Sequence, residues 1–140
     1  ERDCRELHKL PPVQRAWIDL LAEVKGRKVD RLRAVETLGA CDPTDTARER
    51  LARVLHGDQP IELQRAAASA IAHGWPALAT PLLDVALQGS TSPELRAHVA
   101  STLGSLGQDD AIAALRSGLE QERDHTVKDA IRLALREASG

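Results

Sequence analysis

At 140 residues the chain has the size of one ordinary domain and can bury a real core. Phe, Tyr and Met are absent, and Ala and Leu dominate, which favours helices and excludes a β-sandwich or barrel. Nineteen basic residues against 21 acidic ones give a net charge of −2, which argues against nucleic acid as a partner, and no apolar run reaches the ~20 residues of a membrane span.

The chain opens Glu1-Arg2-Asp3-Cys4, charged and unlike a signal peptide, so a cytoplasmic protein is expected, with an exported or membrane-tethered parent protein as the alternative. With no Met at its start, it is expected to be a mature chain or a domain cut from a longer protein. Cys4 and Cys41 form no metal-ligand motif. Free thiols are expected, and a disulfide stays open.

Apolar spacing then predicts four helix pairs, an A helix followed by a B helix each time. The pairs fall near 12–25 and 28–40, 44–56 and 60–73, 76–88 and 92–106, 109–121 and 124–138. The repeats therefore span about 12–40, 44–73, 76–106 and 109–138 of one domain. In the first A helix Trp17 joins Ile18 and Leu21 on a core face. The later A helices carry Leu51 and Leu55, Leu83 and Leu87, and Leu115 and Leu119, each pair one turn apart.

The B helices superimpose in register. A polar column reads Arg31, Gln64, Arg96, Lys128, with Ala34, Ala67, Val99, Ile131 three positions on and Leu38, Ile71, Leu103, Leu135 seven on. Asp42-Pro43 and Ser92-Pro93 place a capping side chain before a Pro that suits the first helical position. Gly57, Gly74, Gly89 and Gly107 fall where helices stop and are expected in the left-handed conformation. Pro81 should kink the third A helix or restart it with Thr80 as cap.

The run Leu95-Arg96 through Leu103-Gly104-Ser105-Leu106-Gly107, followed by Asp109-Asp110-Ala111-Ile112, resembles the HEAT-repeat family, in particular the short HEAT-like repeats of phycobilin lyase subunits. The likeness covers about 28–138 and, more weakly, 12–27; Gln64 and Ala72-His73-Gly74-Trp75 depart from the family pattern. It implies an all-α fold, a right-handed α-solenoid (α-α superhelix) of about four HEAT-like pairs, in which the Arg column forms a ladder with acids of neighbouring turns. Asp58, Asp109 and Asp110 are the candidates. A phosphate-binding stripe is the alternative use of that column, opposed by the acidic majority.

Chemistry is harder to find. His8, His56, His73, His98 and His125 form no HxxxH or HExxH motif, so no metal site is expected. Di-iron hydroxylases of the resembled family carry a His-Glu pair in a B helix, whereas this chain has His98-Val99. Gly104-Ser105-Leu106-Gly107 lacks the strand, Lys and Ser/Thr of a phosphate loop, and no nucleophile elbow exists. Glu120, Glu122 and Asp124 read as a solvated loop. No catalytic residue, cofactor or metal ligand is therefore assigned.

The expected function is that of a non-catalytic interaction or assembly module, monomeric and binding another protein. Small and polar B-helix positions should form its concave face: Arg33, Glu36, Ser69, His73, His98, Ser101 and Ser105. Trp75, in a turn before Pro76, either caps the core edge or is an exposed anchor for that partner. Two rivals remain, both resting on the resemblance or on the missing start: a subunit of a bilin lyase-like chaperone, and an accessory domain of a larger enzyme or sensor. Finally, the fourth B helix carries Arg132 and Arg136 where the others carry Val35, Ala68, Ala100 and Gly39, Ala72, Gly104. That swap is expected to close the array as a C-terminal cap, with any continuation on the N-terminal side.

Overall fold

The computed structural model describes residues 28–41 and 44–139. The helix expected near 12–25, with Trp17, His8 and Cys4, lies outside them, as does the Asp42-Pro43 turn. Seven helices are described: α1 (Lys28–Cys41), α2 (Asp45–His56), α3 (Ile61–Gly74), α4 (Pro76–Gly89), α5 (Pro93–Leu106), α6 (Asp109–Gln121) and α7 (His125–Ser139). No strand occurs among the described residues, and the fold is all-α. Each helix begins and ends within a residue or so of the expected position.

The helices gather into two compact units that divide after Trp75. In the first, α1 and α3 are the B helices, and α2 packs on both. In the second, α4 and α6 are A helices, α5 and α7 are B helices, and the closest pairing is α5 with α7. The expected columns are the core. Leu38, Ile71 and Leu103 are buried, as are Ala34, Ala67, Val99 and Ile131. Leu135, seven places on in the last copy, is only half-buried.

The B helices approach each other through small residues in the same register twice. A Cβ on Gly39 would collide with Ala70, and one on Gly104 would lie 2.8 Å from the Ala134 Cβ. Neither position tolerates a side chain without a shift of backbone, so both glycines serve helix contact.

Three details of the helix ends differ from expectation. Thr44 caps α2: its hydroxyl accepts from the Ala47 N–H at 3.2 Å, so the cap lies beyond Pro43 and is not Asp42. Ser92 caps α5 as expected, accepting from the Leu95 N–H at 3.2 Å with Pro93 in the first turn. Among the described glycines only Gly107 is left-handed, with φ 63°. Gly57 ends α2 in extended backbone, and Gly74 is instead required by space, since its Cβ would stand 2.7 Å from the Gly39 carbonyl oxygen. Pro81 is accommodated inside α4, which neither ends nor restarts there. The lost N–H would have met the carbonyl of Ala77, an exposed residue. Thr80 does not cap; it is buried and its hydroxyl donates to Asp110 Oδ1 at 3.1 Å.

Candidate functional site

The exposed faces of the B helices carry the residues expected to meet a partner. On α1 and α3 of the first unit, Arg33, Glu36, Ser69 and His73 are all exposed. On α5 of the second unit Ser101 and Ser105 are exposed and His98 is half-buried. Helical spacing explains the selection: each lies two, five or nine residues after the polar column, on the side opposite the Leu and Ala columns. The Ser105 hydroxyl folds back onto its own helix, Oγ donating to the Ser101 carbonyl at 3.2 Å. In α7 of the second unit the position matching Ser101 is Leu133, an apolar residue 49% exposed.

Trp75 does not belong to that surface. It is 8% exposed, and its N–H donates to the Ile71 carbonyl at 2.9 Å at the end of α3. Of the two readings open from the sequence, burial fits the cap on the core edge and removes the exposed partner anchor, as the large apolar area of an indole favours.

The polar column acts differently from the expected ladder. Arg96 forms a two-pronged pair with Glu122, Nε to Oε1 at 2.9 Å and Nη2 to Oε2 at 3.1 Å, and Nη1 donates to the Ser90 carbonyl at 2.7 Å. Glu122 Oε2 also accepts the N–H groups of Arg123 and Asp124, both at 3.1 Å. Burial acts to raise the Glu122 pKa, but the hydrogen bonds from Arg96 and the backbone outweigh it and hold the carboxyl below its ordinary value. The loop of Glu122 and Asp124 is thus engaged, not merely solvated; Asp124 Oδ1 caps α7 by accepting from the Val127 N–H at 3.0 Å.

The acid of the ladder is therefore Glu122, not Asp109 or Asp110, and Asp110 accepts from Thr80. In the first unit Arg31 donates to Gln59 Oε1. Both arginines reach the A–B turn of the following repeat, a register that could have been found by searching one repeat ahead for any acceptor. Gln64 turns back, its amide donating to the carbonyls of Leu55 at 3.2 Å and Gly57 at 2.9 Å at the end of α2.

A cleft of about 240 Å³ in the second unit is lined by Leu87, Gly118, Arg123 and the Arg96–Glu122 pair. The pair spends its best donors and acceptors on itself and on the backbone, which makes this a structural joint. Among the described residues no group of three His, Cys, Asp or Glu side chains comes together to hold a metal ion. No described helix is long and apolar enough to cross a membrane.

Paired A and B helices with a small-residue seam and an Arg-turn link define a helical-repeat protein. A family model for HEAT repeats matches residues 48–136, more than half of the chain, and the chain belongs to the HEAT-repeat family. Among solved structures it is similar to human deoxyhypusine hydroxylase in complex with glycerol, with a TM-score of 0.73 and 22% identity. That likeness covers 99% of this chain and 44% of the hydroxylase, so the chain spans under half of its length, and it is a likeness of fold. A search of curated proteins finds no significant match.

Proposed function

We propose that the chain is a non-catalytic protein-interaction module that engages its partner through the exposed B-helix faces. The observation that carries this is the contrast along one column: Glu36, Ser69 and Ser101 are exposed, while the neighbouring Leu and Ala columns are buried. Small side chains on a rigid helix face let a partner approach closely over an extended contact, and suit it better than a deep ligand pocket would.

Membership in the HEAT-repeat family supports the proposal, since such repeats generally mediate protein contacts. A hydroxylase role draws only on a likeness of fold, and here Ala97-His98-Val99 stands without a neighbouring Glu.

The test is crosslinking and affinity capture with the wild-type chain and with Ser69→Arg and Ser101→Arg. Partners retained by wild type and lost by both variants, at unchanged helicity, are the expected result. Partners retained equally by the variants would remove the B-helix faces from the reading.

A further inference from the structure

We propose that the outward side of α7 is a basic docking ridge for an acidic helix of a partner protein. The inference concerns another side of α7, which adjoins the exposed B-helix positions at Leu133, and its test is independent of theirs.

The side is defined by register. Eight residues after the polar column, Gly39 of α1 meets Ala70 of α3, and Gly104 of α5 meets Ala134 of α7. This column therefore faces the next B helix within each unit. One turn earlier on the same face lie Val35 and Ala100, both fully buried. In α7 the corresponding positions are Arg132 and Arg136, both exposed, and the polar column above them is Lys128. Lys128, Arg132 and Arg136 follow one another at i, i+4 and i+8, which places three cations in one stripe along the helix. Leu133, 49% exposed, borders the stripe.

The chemistry of the stripe selects the occupant. Glycine at the seam allows two backbones to touch, whereas arginine holds a neighbour away and reaches it with a long side chain. A helix lying there is held by charge pairs at their tips together with one apolar contact at Leu133. Carboxylates at the same four-residue spacing on the incoming helix match the three cations in register. The register adds a second argument. Arg31 and Arg96, the cationic equivalents of Lys128, each reach forward to a polar side chain one repeat on, Gln59 and Glu122, whereas the neutral Gln64 of the same column turns back. Lys128 offers the same forward reach to whatever lies against α7.

The chain already holds an internal rival for the ridge: Asp129 Oδ1 lies 3.3 Å from Arg132 Nη1 in an exposed pair. Such a pair is worth little and yields to a better-placed carboxylate.

The experiment uses the whole chain and a fluorescent synthetic peptide of about 18 residues, long enough to form a helix, with Glu at i, i+4 and i+8 beside a Leu row. Binding is read by anisotropy. The Arg132→Glu, Arg136→Glu variant is expected to weaken it about tenfold or more, and a peptide with Lys in place of Glu is expected to bind that variant instead. Asp129→Asn is expected to tighten the original peptide about twofold by freeing Arg132. Circular dichroism on each variant, with Arg132→Gln, Arg136→Gln as a milder pair, separates lost binding from lost fold. Binding that ignores charge reversal, a scrambled peptide of equal charge binding as well, a duplex DNA binding more tightly, or no binding at all overturns the proposal. So does self-association of the chain that occupies the ridge in place of the peptide.

Discussion

The two units solve the same packing problem with different chemistry. In the first, Gly39 seats against Ala70 and Arg31 reaches the neutral amide of Gln59. In the second, Gly104 seats against Ala134 and Arg96 reaches the carboxylate of Glu122. The seam is thus constant and the link variable. Close helix contact admits only the smallest side chains, whereas a long guanidinium can use any acceptor that the next turn presents. It follows that the two units should respond alike to changes in the seam and differently to changes in pH.

The largest effect should come from the shared core. Leu103→Ala empties a fully buried position in the second unit and should cost about 2–5 kcal/mol in chemical denaturation; Leu38→Ala should cost a similar ~2–5 kcal/mol in the first. If one of the two leaves the midpoint unmoved, the units do not share a column. Leu135, half-buried in the same column, should cost clearly less.

Next comes the link that distinguishes the units. Glu122→Gln removes a charge-assisted pair whose side chains are 16% and 7% exposed, and should cost about 1.5–3 kcal/mol at neutral pH. The folded state holds the Glu122 carboxyl below its ordinary value, so the unfolded chain takes up the proton first as pH falls. The stabilisation is then fully present above the ordinary glutamate value and is lost as pH drops through the lower folded value. Midpoints measured between neutral and acid pH should therefore converge for wild type and Glu122→Gln. Gln59→Glu should bring a matching acid dependence to the first unit; a flat difference profile there would show that Arg31 does not serve as the link.

Much of this was legible in the sequence because the core columns are periodic. Leu38, Ile71 and Leu103 announce themselves by recurring at a fixed interval beside Ala34, Ala67 and Val99, and burial follows from that pattern alone. The link was not, because its partner does not recur: Gln59 and Glu122 share neither type nor spacing, and only the turn of the following repeat brings them in reach. Glycine was misread for a related reason. A left-handed helix stop and a close backbone contact both demand the same residue, so Gly107 and Gly74 look alike in sequence and separate only by φ and by neighbours. The exposed B-helix positions came from helical phase and stand where phase puts them, whereas Trp75, in a turn, had no phase to place it.

The seam offers a third, sharper test. Gly→Ala inside a helix ordinarily stabilises by roughly 0.5–1 kcal/mol. At Gly104 the new Cβ meets Ala134, so Gly104→Ala should instead cost about 1–3 kcal/mol through overpacking. Ala134→Gly should recover part of the loss in a double-mutant cycle. Gly89, whose Cβ would meet nothing within 4 Å, is the control and should gain stability on substitution by Ala. Gly39→Ala with Ala70→Gly should repeat the pattern in the first unit, and a stabilising Gly39→Ala would show that its seam is looser.

The smallest effects belong to the caps, where the units become comparable again. Thr44 and Ser92 each accept one N–H three residues on, from Ala47 and Leu95, at the same 3.2 Å. Removing either hydroxyl leaves an N–H of the first turn to find water, at a cost of about 1 kcal/mol for Thr44→Ala or Ser92→Ala. The expected readout differs from the value. Leu95 is almost fully buried and Ala47 equally so, but α5 keeps Pro93 in its first turn, where the ring holds the helical φ without the cap. Loss of Ser92 should therefore speed hydrogen exchange at Leu95 while the rest of the first turn stays folded. In α2 no proline lies within the helix, and the pair of exposed Asp45 with half-buried Arg48, Nη1 to Oδ1 at 3.0 Å, is weak support, so Thr44→Ala should fray the whole first turn. Equal exchange profiles in the two variants would show that Pro93 contributes nothing beyond the cap it follows.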